Sequence, residues 1–294
     1  MKYIFFGTPE FAAIILERLI KAGWPPAAVV TNPDKPVGRK KILTPPPVKQ
    51  IFASSEEANI WQPEDLLNVS AQGGSASGGK SQLSKVNALV GILAAYGKII
   101  PKEIIDIFPK GIIVVHPSLL PKYRGPTPIQ TAILNGDKET GVTLFLMDEK
   151  IDHGSIISNF PAFAKASAGR QFPISNDDDY ETLMKKLAEA SADLLIETLP
   201  KYLAGGIKPR PQDEAGATYT KKFTMEEARV DLEKDDPEMV VRKVKALNPE
   251  PGVWTIKNGK RMKILEADLV DGRLVLKKIQ FAGEKSKPPH LEYR

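Results

Sequence analysis

The sequence predicts a doubly wound, mostly parallel, Rossmann-like α/β sheet followed by a small β-barrel, and three observations carry that prediction. The first half alternates short β-branched or apolar runs with segments of helical spacing. A stretch dense in Gly and Pro, from Tyr202 to Thr218, then changes the texture of the chain. Beyond it, short alternating runs are separated by Asn258-Gly259 and Asp271-Gly272 turns. At 294 residues the chain exceeds a typical single core, so two domains are expected: 1–200, a linker at 201–217, and 218–294.

Lys2 to Phe6 reads as the first strand. Pro9 to Ala22 follows as a helix, with Phe11, Ala12, Ile15, Leu16 and Leu19 at helical spacing and Gly23 as its stop. The Gly7, Thr8, Pro9 turn between them lacks the repeated glycines of a dinucleotide site, so no NAD is inferred from the fold class. Pro26 to Thr31 and Asn87 to Ala95 are further strands, with a Pro- and Lys-rich loop, Asn32 to Lys49, after the earlier of the two. Gly111 to Val115 is an uninterrupted β-branched run, the pattern of a strand buried on both faces of a parallel sheet. Val142 to Met147 is another apolar strand, and a further one starts at Ile156. Asp177 to Leu199 has the spacing of a long amphipathic helix. Val253 to Ile256, Met262 to Ala267 and Arg273 to Ile279 are the runs of the small antiparallel barrel.

His116, one of only three histidines, ends the buried strand, and ligands of open α/β sheets bind at the carboxyl ends of strands. A lone histidine there also serves a purely structural role. Asp152 lies in the acidic, glycine-terminated loop after the next strand. With the two strands as parallel neighbours joined by a right-handed crossover, both loops open on one edge and the imidazole meets the carboxylate. Such a pair accepts and returns a proton during acyl or formyl transfer, whereas a metal site needs more nitrogen or sulfur ligands than this chain offers. His153 is read as facing solvent.

The segments MKYIFFGTPEFA, NPDKPVGRKKILTPPPVK, AYGKIIP, HPSLLPKYRGPTPIQ, ETGVTLFLMDEKIDHG and KALNPEPGVW together resemble the methionyl-tRNA formyltransferase family, in its order and over nearly the whole chain. The Ser-Leu-Leu-Pro signature is shared with other formyltetrahydrofolate-dependent enzymes; the PDKPVGR and NPEPGVW segments narrow it. The resemblance implies transfer of a formyl group from 10-formyltetrahydrofolate, the co-substrate, to the α-amine of methionine on initiator tRNA, with no metal. It makes His116 and Asp152 catalytic and Thr143 a hydroxyl close to them. Folate contacts are expected from Tyr96, Gly97, Ile99 and Ile100, and from the signature residues Ser118, Leu119, Leu120 and Pro121. In the family the basic loop wedges against the acceptor arm of the tRNA, which assigns phosphate contacts to Arg39, Lys40 and Lys41, with Lys222 (and Lys221) contributing from an OB-like C-terminal module.

One position departs from the family. An asparagine is expected two residues before the histidine, and this chain has Val114, which has no donor for a developing oxyanion. Losing one such donor typically costs roughly 10²–10³ in turnover. A weakened enzyme is expected, and a non-catalytic tRNA-binding relative stays open. A formyltransferase for a small amine, such as an amino sugar or purine precursor, is a further alternative, which the basic loop and C-terminal module disfavour.

Composition agrees. The net charge is +5, and residues from Gly206 onward hold 19 Lys+Arg against 15 Asp+Glu, so most of the excess sits on the smaller domain. Cysteine is absent, which excludes disulfides and the usual zinc clusters. With no leading apolar segment and no stretch of the ~18 residues a membrane helix needs, a cytoplasmic monomer without membrane contact is expected. Gly74 to Ser81, GSASGGKS, matches a phosphate-loop spacing but follows no strand, and is read as a flexible insertion, like Ala162 to Arg170.

Overall fold

A computed structural model describes residues 1–38, 40–53, 59–64, 66, 79–160 and 172–288. The first strand, β1 (Tyr3–Gly7), is buried throughout, and α1 (Glu10–Lys21) follows. Pro9 stays outside the helix as its cap, its carbonyl accepting from the amides of Ala12 (3.0 Å) and Ala13 (3.1 Å). Phe11, Ala12, Ala13, Ile15, Leu16 and Leu19 are buried, and each of the large side chains stabilises the packing by roughly 1.5–3 kcal/mol.

Next come β2 (Ala28–Val30), β3 (Lys35–Val37), β4 (Ile42–Thr44), α2 (Pro47–Phe52) and β5 (Ile60–Trp61). The basic loop is thus not irregular throughout: β3 and β4 pair as an antiparallel hairpin. The chain continues through α3 (Gly79–Lys85), β6 (Val90–Ala94), α4 (Lys102–Ile105) and β7 (Ile112–His116). Gly79 to Ser81 of the phosphate-loop pattern open α3; the rest of that pattern, and the Ala162 to Arg170 patch, lie outside the described residues.

After β7 come α5 (Pro128–Asn135), β8 (Glu139–Thr140), β9 (Val142–Leu146), β10 (Ile156–Phe160), β11 (Phe172–Pro173) and α6 (Tyr180–Leu203). Helix α6 starts later than its periodicity predicts, because the Asp179 carboxylate caps it by accepting from the Thr182 amide (2.8 Å). It also runs past Pro200, which lies inside it. The last elements are α7 (Pro237–Leu247), β12 (Trp254–Lys257), β13 (Lys260–Val270) and β14 (Arg273–Phe281). Among the described residues no helix is long and apolar enough to cross a membrane.

The main sheet has seven strands in the order β10-β9-β7-β6-β1-β2-β5. From β7 to β5 every pair is parallel, but β9 runs antiparallel to β7, and β10 antiparallel to β9. The expected parallel crossover between β7 and β9 is therefore wrong. In the connection α5 packs on α7, and because β9 is antiparallel to β7 the chain re-enters the sheet beside the end of β7 that it left.

The chain forms two compact units. One comprises residues 1–124, 141–170 and 185–217 and contains the seven-stranded sheet. Residues 206–217, rich in Gly and Pro, are fastened to it: Ile156 and Arg210 exchange backbone hydrogen bonds (2.7 and 2.8 Å). The other comprises 125–140, 171–184 and 218–294, with β12, β13 and β14 as a three-stranded antiparallel sheet packed on α7. Asp236 caps α7 through the Met239 amide (2.9 Å), with Pro237 in the first turn. Thr255, Met262, Ile264, Ala267, Leu274, Leu276 and Ile279 are the buried residues of this sheet.

Candidate active site

His116 ends β7 opposite Thr143 of β9, in a strand whose five residues are all buried. Its Nε2 lies 2.9 Å from the carbonyl oxygen of Tyr123. A carbonyl only accepts, so Nε2 carries the hydrogen and donates, and in the neutral imidazole the lone pair is left on Nδ1. That Nδ1 faces Asp152, 3.6 Å from Oδ2. The separation exceeds a direct hydrogen bond. Tyr123 holds its carbonyl there with φ +65°, a left-handed backbone that non-glycine residues rarely adopt.

The loop after His116 is held by its own hydrogen bonds. The Ser118 amide donates to the His116 carbonyl (2.9 Å), and the Ser118 hydroxyl donates to the Lys122 carbonyl (2.6 Å). Thr143, fully buried, donates its hydroxyl to the Ser118 carbonyl (2.7 Å) and accepts from the Leu120 amide (3.0 Å). Both functions of that hydroxyl are directed at the loop, so Thr143 orders the segment next to His116.

Asp152 reaches His116 although β9 points away from it, because residues 147–155 fold back toward the carboxyl end of β7. Gly154 makes the reversal possible: a Cβ there would lie 1.6 Å from the Leu146 carbonyl oxygen. Asp152 itself has φ +46°. His153 does not project freely into solvent as expected; Nδ1 lies 2.6 Å from Asp148 Oδ2, and Nε2 is 3.5 Å from Glu214.

Three further residues border this loop; two of them, Gln212 and Glu214, stand in a stretch with linker composition, where a sequence reading passes over them. Arg124, with no exposed surface, donates from Nε (3.0 Å) and Nη2 (2.8 Å) to Gln212 Oε1, and makes two bonds to the Glu214 carboxylate (3.0 and 2.6 Å). Those bonds hold the Glu214 carboxyl below its usual range. Gln212 Nε2 donates to the carbonyls of Asp152 and Gly154, each at 2.9 Å.

Tyr96, Ile100 and Leu120, expected at a folate site, share one buried apolar cluster with Val114 and Phe145. Ser118 is also buried, Leu119 and Pro121 are half-buried, while Gly97 and Ile99 are exposed, the latter by 91%. The Tyr96 hydroxyl has no hydrogen-bond partner among the described residues, and burial pushes its pKa up to about 12. A buried, unpaired phenol beside apolar side chains fits a flat ring that brings its own polar edge.

In the basic hairpin, Lys40 and Lys41 are exposed near the turn; Arg39 lies outside the described residues. Its strands also expose Val37, Ile42 and Leu43. Lys49 is not available in the same way, because it bonds both Asp34 oxygens (2.9 Å each) and Gln62 (2.8 Å) at the hairpin's base. In the other unit Lys222 is exposed, and Lys221 pairs with Glu227, bringing that carboxyl down to about 2.

Comparison with known proteins gives the family. Residues 1–199 match the formyl transferase family, and residues 222–284 match the formyl transferase C-terminal domain. The methionyl-tRNA formyltransferase of Halalkalibacterium halodurans is 39% identical over 273 residues, covering 92% of this chain and 79% of the relative. That of Dictyoglomus thermophilum is 42% identical over 268 residues, covering 91% and 80%. Among solved structures, the fold is shared with methionyl-tRNA formyltransferase from Clostridium thermocellum (TM-score 0.61, 18% identity, 96% of this chain and 99% of that one). It is shared too with HypX from Aquifex aeolicus in complex with tetrahydrofolic acid (TM-score 0.65, 18% identity, 98% and 46%). Identity near 40% sustained across nine-tenths of its length makes this chain a member of the methionyl-tRNA formyltransferase family.

Proposed function

We propose that this protein transfers a formyl group from 10-formyltetrahydrofolate to the α-amine of methionine carried on initiator tRNA, the modification that prepares it for translation initiation. The observation that carries the reading is the His116 tautomer: Nε2 is committed to the Tyr123 carbonyl, which leaves a basic Nδ1 facing Asp152. The co-substrate supplies the formyl carbon. The amine nitrogen attacks the formyl carbon and the bond from that carbon to the folate nitrogen breaks; His116 Nδ1 takes the proton that the amine loses and returns it to the departing folate nitrogen, and the Asp152 carboxylate stabilises the imidazolium in between. Thr143 acts through the loop it holds. Tyr96, Ile100 and Leu120 line the folate side, with Gly97, Ile99, Ser118, Leu119 and Pro121 at its margin.

The same reading gives residues 1–200 the formyl-transfer chemistry and residues 218–294 an OB-like role in tRNA contact, with 201–217 between them. Support for the OB-like module is the antiparallel three-stranded meander with one buried apolar face. Arg39, Lys40, Lys41 and Lys222 meet tRNA phosphates, and the protein acts as a cytoplasmic monomer.

The test is formylation of charged initiator tRNA with 10-formyltetrahydrofolate by the natural protein, Asp152→Asn and His116→Asn. The natural protein is expected to formylate and each variant to lose on the order of 10²–10⁴ in kcat. A natural protein that leaves the tRNA unformylated while formylating an amino sugar nucleotide would overturn the proposal.

A further inference from the structure

We infer that Gln212 is a positioning residue for Asp152, an inference that rests on the reading of His116 and Asp152 as the reacting pair. Its carboxamide uses its whole hydrogen-bonding capacity in one direction of relay. The oxygen accepts twice from the buried Arg124 guanidinium, and the nitrogen donates twice, to the carbonyls of Asp152 and Gly154. The orientation of the amide is unambiguous, since a flipped group would set its N–H donors against Arg124 donors and its oxygen against two carbonyls.

What the relay holds is the backbone of the residue that carries the carboxylate. Asp152 sits at φ +46°, a left-handed backbone that aspartate tolerates better than most residues but adopts in few positions. The loop around it is also tied by Asp148 to Lys150 and His153, by His153 to Glu214, and by the Leu146 amide to the Ser155 carbonyl. Gln212 grips Asp152 and Gly154 directly from outside the loop through their carbonyls, and Arg124 fixes Gln212 from behind, itself anchored to Glu214. Arg124 follows Tyr123, whose carbonyl sets the His116 tautomer, so one chain of contacts ties both halves of the pair. Gln212 lies between the two regions that match family models, 1–199 and 222–284, in a segment whose composition reads as a connector.

The experiment compares the full-length protein with Gln212→Glu, Gln212→Ala and Asp152→Asn. Gln212→Glu keeps an acceptor for Arg124 but faces the two carbonyls with an oxygen. Its kcat for tRNA formylation is expected to fall about 10- to 100-fold, the scale of a 1 Å misplacement, with KM for both substrates within about twofold. Tryptic cleavage after Lys150 accelerates in both Gln212 variants while the melting temperature of Gln212→Glu stays near that of the natural protein. Wild-type kcat in Gln212→Glu beside an inactive Asp152→Asn overturns the inference and leaves the reacting pair standing. A joint collapse of kcat, KM and melting temperature, or failure of both Gln212 variants to fold, overturns it by making Gln212 a residue of the fold. A fully active Asp152→Asn overturns the pair and the inference together.

Discussion

Val114 stands on the same face of β7 as His116, two residues before it, and is only 4% exposed. Its neighbours in the apolar cluster include Tyr96, Leu120 and Phe145. The position is therefore placed to serve the site yet has nothing polar to offer it, so the charge developing on the formyl oxygen is left to the remaining groups. Val114→Asn is expected to raise kcat by on the order of 10-fold or more. It is also expected to destabilise the fold by about 1–3 kcal/mol, because the amide enters an apolar cluster. Steady-state formylation and a denaturant melt on the same variant check both; an unchanged kcat would mean that no donor is missing at this position. At this scale His116 and Asp152 were legible, since a histidine ending a β-branched run and an aspartate in a glycine-closed loop are local patterns. Gln212 and Arg124 were not, because their partners lie 58 to 90 residues away in the chain.

The fold-back of residues 147–155 is what lets an antiparallel β9 deliver Asp152 to the carboxyl end of β7. Gly154 is its weak point, with backbone oxygen where any side chain would begin. Gly154→Ala is expected to cost more than about 3 kcal/mol or to displace the loop and abolish formylation, readable from the unfolding midpoint and kcat. Unchanged values of both would mean that the loop opens without cost. Strands β1, β6 and β7 follow directly from their apolar runs, because burial on both faces demands such residues whatever the order of strands. The direction of β9 does not: an apolar run carries no sign of which way it enters the sheet. The β3–β4 hairpin was hidden for a different reason, being exposed and Lys-rich, with none of the inward alternation by which strands announce themselves.

Taken as a whole, the molecule has a modest net charge of +5, so any tRNA affinity depends on where its cations stand. Replacing Lys40, Lys41 and Lys222 together with alanine is expected to weaken tRNA binding and to flatten the slope of log Kd against log salt by roughly 0.7–0.9 for each phosphate that is no longer neutralised. Binding isotherms over a range of salt concentrations measure it, and an unaltered slope would remove these lysines from the interface. Lys49 is equally basic in the sequence, but its ammonium is engaged by Asp34 and Gln62. By itself the sequence determined the α/β class, the buried strands, the candidate pair and the family resemblance, all of which rest on residue type and short-range spacing. Only the tertiary structure decided that β9 runs antiparallel, that segments 125–140 and 171–184 belong with the C-terminal residues, and that a connector-like stretch grips the Asp152 loop. Those features depend on which distant groups meet, and hydrogen-bond partners that meet across the fold leave no periodicity in the chain.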